Sequence, residues 1–165
     1  MATYLGVDPG AKGYLCLLDT YNDRITFVPN PTSPSDIAHA QRLLAQEVVN
    51  DMMISKCAIE DVHSIYGMSA KSNFKFGYNV GLVTSLVCAA PFYLTPYLIQ
   101  PKVWQKAIGA PSKKFLGEEM KLKEAIADIA QLLYPEVELH GPRGGLQDGK
   151  ADALMLAHYL YLQDK

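Results

Sequence analysis

Four acidic residues stand where apolar runs stop or a helix opens. Asp8 follows Tyr4-Leu5-Gly6-Val7, and Glu60 closes Lys56-Cys57-Ala58-Ile59. Asp148 and Asp152 lie in Leu146-Gln147-Asp148-Gly149-Lys150-Ala151-Asp152-Ala153-Leu154-Met155-Leu156-Ala157, at the start of the last helical stretch. Aspartate is poor strand material, so Asp8 belongs at a strand end where the sheet meets solvent. A spacing of four puts Asp148 and Asp152 on one helix face, where like charges repel and the helix N-terminus offsets only part of the cost. Singly, each has an ordinary explanation as a turn, cap or solvated residue. Together they suggest a divalent cation, which lets carboxylates gather where they otherwise repel. Oxygen donors without a histidine or cysteine cluster suit Mg²⁺ or Mn²⁺ rather than zinc. Two such ions about 4 Å apart are suited to in-line phosphodiester displacement by water.

The charge distribution adds a partner for this chemistry. The net charge is −2, but residues 62–123 hold eight lysines (Lys71, Lys75, Lys102, Lys106, Lys113, Lys114, Lys121 and Lys123) against Glu118 and Glu119. The flanking thirds each carry a balance of −4, leaving +6 in the middle. A basic middle beside a carboxylate site can hold a polyanion's phosphates, and a nuclease needs both.

The elements that must position these residues alternate strand and helix. Residues 3–8, 13–19 and 24–28 read as an antiparallel meander joined by Asp8-Pro9-Gly10 and Tyr21-Asn22-Asp23. A helix capped by Ser35 or Asp36 precedes a fourth strand, 56–60, placed to add parallel to the meander. A long helix is expected over 69–90, with Gly77 and Gly81 one turn apart and available for close packing against a sheet or a second subunit. Residues 92–95 and 97–99 read as a fifth strand region interrupted by Pro96; Pro101 opens a short helix to 108. A basic loop at 109–114, a helix over 120–134, a loop at 140–145 and a helix over 147–163 complete the chain.

At 165 residues and 49% hydrophobic, the chain is expected to be one globular domain, 1–165, without a leader or membrane span. Cys16, Cys57 and Cys88 lie in apolar segments without metal-type spacing, which predicts reduced packing thiols and a cytoplasmic location. His63, His140 and His158 are expected at polar surfaces or loops, and Trp104 as a core anchor.

Three segments in order, Gly6-Val7-Asp8-Pro9-Gly10, Ala58-Ile59-Glu60-Asp61 and Asp148-Gly149-Lys150-Ala151-Asp152-Ala153-Leu154, resemble the motifs of the RuvC family of Holliday junction resolvases, especially its phage-type members. The resemblance spans nearly the whole chain, and the third segment is the most specific. It implies an α/β, RNase H-like fold: a five-stranded mixed sheet, three strands antiparallel and the others parallel, flanked by helices. It also implies a homodimer that nicks a four-way DNA junction in pairs with Mg²⁺ or Mn²⁺, using two ions per site and no nucleotide cofactor. Asp8, Glu60 and Asp152 would then be metal ligands and catalytic. The family's cellular members carry their additional acid or histidine three residues before the last Asp, a position held here by Gly149; Asp148 stands four before and is taken as the fourth ligand. Asp61 is set aside because strand neighbours face opposite ways. Lys71, Lys75, Lys102, Lys106, Lys113, Lys114 and Arg143 are candidate DNA contacts, and Tyr66 or Phe74 a candidate junction wedge.

Three rivals use the same residues differently. Another RNase H-like nuclease would cut flaps, forks or RNA–DNA hybrids. A sugar-kinase or actin-like ATPase also begins with D-x-G, but needs a second such domain and a second phosphate loop. A non-catalytic junction-binding module would gain nothing from anions facing phosphates.

Overall fold

The computed structural model describes residues 2–48, 53–63, 67–89, 92–116 and 119–165; Tyr66 lies outside these residues. Strands β1 (Thr3–Val7), β2 (Tyr14–Asp19) and β3 (Arg24–Pro29) form the expected antiparallel meander. Helix α1 (Pro34–Val48) leads to β4 (Ile54–Glu60), which pairs parallel with β1. Helix α2 (Ala70–Cys88) leads to β5 (Tyr97–Ile99), parallel with β4. Helices α3 (Pro101–Ala107), α4 (Lys113–Leu116), α5 (Glu119–Leu133) and α6 (Asp148–Leu162) follow. The sheet order is β3-β2-β1-β4-β5.

Strand alternation divides the core between the two faces of the sheet. Leu5, Val7, Leu15, Leu17, Cys57 and Ile59 point to one face, where Leu44 of α1 and Val83, Leu86 and Val87 of α2 cover them. Tyr4, Cys16, Leu18 and Ala58 point to the other, covered by α6 with α5 and Trp104 of α3. Helix α6 is apolar almost all round, as a helix buried between a sheet and neighbouring helices must be. It reaches the sheet closely because Gly6 has no side chain: a Cβ there would stand 2.1 Å from the Ala153 carbonyl oxygen and 2.5 Å from the Ala157 nitrogen.

Several local expectations need correction. Residues 92–95 are not strand. The Phe92 and Tyr93 amides donate to the Ala89 carbonyl and the Leu94 amide to the Val87 carbonyl, so this stretch folds back on the end of α2. Lys113 and Lys114 lie in α4 rather than in a loop, because the Phe115 amide bonds to both the carbonyl and the hydroxyl of Ser112. Helix α1 starts at Pro34, and Asp36 in its first turn accepts from the Thr32 and Ser33 amides instead of capping from outside. Of the two uses expected for Gly77 and Gly81, packing within the chain is not seen among the described residues, since an added Cβ meets nothing within 4 Å at either. Cys88 is exposed, unlike the buried Cys16 and Cys57.

His158 is buried rather than at the surface. Its Nδ1 lies 2.7 Å from the Tyr134 hydroxyl, which anchors α6 to the residue after α5. Burial, with some help from Lys165, pushes its pKa below the usual histidine value. The neutral ring is therefore the folded form, so stability present above about pH 6.5 is lost as pH falls towards the folded pKa.

Two outcomes are expected. Gly6→Ala should destabilise the fold by roughly 3 kcal/mol or more in urea unfolding, because the clash is with helix backbone rather than a movable side chain. Between pH 7.5 and 5, wild type should lose more stability than His158→Gln, measured as the shift in thermal midpoint.

Candidate active site

Parallel pairing of β1 with β4 sets Gly6 opposite Ala58 and Val7 opposite Ile59. Asp8 and Glu60 are the next residues on these adjacent strands, and the alternation turns both towards the α6 face. Asp61 falls to the other side of the pleat; its amide donates to the Ile99 carbonyl (2.8 Å).

The turn after β1 is built around Asp8. The Gly10 amide donates to Asp8 Oδ1 (3.0 Å), and the Asn30 side-chain amide donates to the carbonyls of both Asp8 and Gly10. At Gly13 a Cβ would stand 2.1 Å from the Asp8 carbonyl oxygen and 2.8 Å from Asp8 Oδ2. The first turn of α6 lies against this turn through a second bare backbone, Gly149, whose Cβ would be 2.7 Å from the Lys12 carbonyl oxygen and 2.8 Å from Asp8 Oδ2. No side chain fits at 149. In α6 the acids are therefore carried at 148 and 152, with the bare position between them turned to the Asp8 turn.

Asp8, Glu60, Asp148 and Asp152 line one cleft of about 480 Å³, together with Lys12 and Lys123. Glu60 accepts a hydrogen bond from Nε1 of the fully buried Trp104 (3.0 Å), and Lys123 forms an ion pair with Asp148. Burial, then Asp8, pushes the Glu60 pKa up to about 7, against the opposing pull of Trp104 and Lys123. Asp8 is raised by burial first and by Asp148, with the Gly10 amide and Lys123 opposing. Asp152 is raised well above the carboxylate range by burial and by repulsion from Asp8, Glu60 and Asp148. Burial and mutual repulsion thus act together on three carboxylates gathered in one cleft.

The donor set suits a hard divalent ion: carboxylates from three separate elements, with neither histidine nor cysteine among the cleft residues. Among the described residues, no group of three or more histidine, cysteine or acidic side chains stands in ready-made ligating geometry. The fit is therefore one of donor chemistry and shared location.

The other singled-out residues lie outside this cleft. Lys102, Lys106 and Lys114 line an adjoining hollow of about 1060 Å³ between α3 and the loop leading to α4; it shares Pro101, Gln105 and Leu122 with the cleft. Lys71, Lys75 and Phe74 are exposed on α2, Phe74 to 77%, and Arg143 is exposed in the loop before α6. Lys113 opens α4. Sequence reasoning missed Lys12 as a cleft residue, Lys123 as the partner of Asp148, and the indole–carboxylate bond of Trp104. The lone lysine inside the Gly10–Gly13 turn was a usable signal for the first. The last two depend on how α5 and α3 pack.

Solved structures share this fold. The chain is similar to Thermus thermophilus RuvC in complex with a Holliday junction substrate, at a TM-score of 0.56 and 18% identity over 98% of this chain and 96% of that one. It is also similar to a second Thermus thermophilus RuvC structure, at 0.51 and 18% over the same shares. The yeast mitochondrial Holliday junction resolvase Ydc2 aligns at 0.45 and 13%, over 96% of this chain and 77% of that one. No protein-family model matches the chain, and no curated protein sequence does. The chain therefore has the RNase H-like fold in its RuvC form, with the 3-2-1-4-5 mixed sheet.

If burial and repulsion load this cleft, neutralising one acid should relieve it. Asp152→Asn in metal-free buffer at pH 7.5 is expected to raise stability by about 0.5–2 kcal/mol in chemical denaturation. An unchanged or lower midpoint would remove the repulsion account.

Proposed function

We propose that this protein is a metal-dependent endodeoxyribonuclease that resolves four-way DNA junctions by paired hydrolysis of opposing strands. The observation carrying the reading is the convergence of Asp8, Glu60, Asp148 and Asp152 on one cleft in a fold shared with a resolvase solved on its junction substrate. Asp8, Glu60 and Asp152, with Asp148, would hold Mg²⁺ or Mn²⁺, two ions per site. When bound, the ions supply an activated water and neutralise charge on the scissile phosphate.

The chain's own residues then have separable roles. The Gly10 amide and the Asn30 clamp orient Asp8, and Trp104 orients Glu60; neither carboxylate must search for its position when substrate arrives. Lys123 balances Asp148 and keeps a positive charge at the cleft, where a phosphodiester must approach four acids. Lys102, Lys106 and Lys114 attract the DNA backbone from the adjoining hollow, acting as point charges that position rather than read. Lys71, Lys75, Lys113 and Arg143 would extend that contact, and Phe74, exposed on α2, would wedge between bases at the branch.

Cutting two opposing strands requires two sites, hence a homodimer. The exposed side of α2 supports this assignment. Tyr78 is exposed beside the bare backbones of Gly77 and Gly81, a surface a second copy's helix can approach closely. Among the described residues, no helix is long and apolar enough to cross a membrane.

The deciding experiment is cleavage of an end-labelled four-way junction beside linear duplex, flap and RNA–DNA hybrid, with Mg²⁺, Mn²⁺ or EDTA. Symmetric nicks on opposing strands are expected, abolished by EDTA and reduced on the order of 10²–10³-fold or more in Asp8→Asn, with junction binding retained. Cutting of flap or hybrid with an intact junction would assign a different substrate. Tight junction binding without any cutting would remove the enzyme. In the same assay, Lys102→Ala with Lys106→Ala should weaken binding and reduce the slope of log affinity against log salt by about 2.

A further inference from the structure

We propose that a second hollow beside the cleft is a nucleoside subsite that reads the base next to the scissile phosphate, so that Gln147 and Thr32 determine cleavage-site preference. This inference rests on the nuclease reading above. The hollow, of about 360 Å³, shares Lys12, Gly13 and Asp148 with the carboxylate cleft. It shares no lining residue with the Lys102–Lys106–Lys114 hollow, which adjoins the cleft through Pro101, Gln105 and Leu122. The cleft therefore opens at two different walls, and a strand crossing it has one hollow for each neighbouring nucleotide.

The two hollows differ in chemistry. One presents three lysines, which bind phosphate without regard to sequence. The other has a single lysine, Lys12, and the acid it shares with the cleft, Asp148; Ala11, Pro29 and Leu146 add apolar wall, and Tyr14, Asn30, Thr32 and Gln147 supply neutral hydrogen-bonding side chains. Side-chain amides and hydroxyls are among the groups that discriminate base edges. Its volume falls within the ~300–1,000 Å³ typical of pockets for small organic ligands.

The wall is also held in shape. Gln147 Nε2 donates to the Tyr14 hydroxyl (3.2 Å), and the Tyr14 ring is fixed by the edge of Phe27 and by the Lys150 ammonium 5.5 Å from its centroid. Asn30, only 7% exposed, gives its amide hydrogens to the Asp8 and Gly10 carbonyls; among the described residues its shielded Oδ1 has no hydrogen-bond partner. Asn30 thus joins this hollow to the Asp8 turn: the group lining the subsite also fixes the backbone beneath a carboxylate of the cleft.

The test uses four-way junctions with randomised bases around the branch, cut by wild type with Mg²⁺ or Mn²⁺ and sequenced at the product ends. Wild type should prefer particular bases beside the cut. Gln147→Ala and Thr32→Val should flatten that preference by about fivefold or more, with total cleavage retained. Lys102→Ala with Lys106→Ala should lower cleavage across all sequences and leave the preference standing. Gln147→Glu, which keeps the side chain's size and removes its donors, should change the favoured base, and it tests the hollow even where Gln147→Ala fails to fold. A wild-type preference that survives in Gln147→Glu and Thr32→Val overturns the inference. If wild type leaves every junction uncut, the nuclease reading fails. The same library, bound in EDTA and sequenced in the bound fraction, then decides the subsite: enrichment lost in the Gln147 and Thr32 variants upholds it, and unchanged or absent enrichment overturns it.

Discussion

The structure depends on one close approach, that of helix α6 to strand β1 and the turn after it. Two positions without side chains permit it, Gly6 under Ala153 and Ala157, and Gly149 against Lys12, Gly13 and Asp8. A helix normally stands off a sheet by the length of its side chains. Here two backbones nearly touch, and that brings the first turn of α6 level with the ends of β1 and β4. The positions of the four acids follow from this contact. Even small additions of bulk there would lift the helix and separate Asp148 and Asp152 from Asp8 and Glu60.

The same contact creates an electrostatic problem that the fold only partly relieves. Asp8, Glu60 and Asp152 are largely removed from water and repel each other, and Lys123, Trp104 and the Gly10 amide offset part of the cost. Such a site is a local destabilisation carried by the rest of the core. Two apolar layers, one on each face of the sheet, supply the surplus stability that tolerates it.

Much of this was legible in the sequence because it is written in local patterns. Alternating apolar residues ending in Asp8 and Glu60 gave the strands and the strand-end acids. The Asp148–Asp152 spacing gave the shared helix face, and Pro101 the start of α3. What was not legible depends on partners distant in the chain. His158 reads as a polar residue on a helix, yet the hydroxyl of Tyr134, 24 residues away, permits its burial. Trp104 reads as core, and its bond to Glu60 exists only because α3 packs beside the end of β4. The stretch 92–95 has strand-like composition, but its amides find acceptors at the end of α2 first. Lys123 stood out only as charge; the approach of α5 to α6 makes it the partner of Asp148.

The brevity of β5 also shapes how molecules of this protein meet one another. This strand forms one border of the sheet, with Tyr97 and Leu98 exposed, and an uninterrupted apolar border of this kind is a template for further strands. Only three residues are paired, and Pro96 and Pro101 flank them, each lacking the amide hydrogen that a continuing ladder requires. A foreign strand that docks there finds almost no backbone to zip along. The border stays apolar enough to pack locally and offers a further strand only three residues.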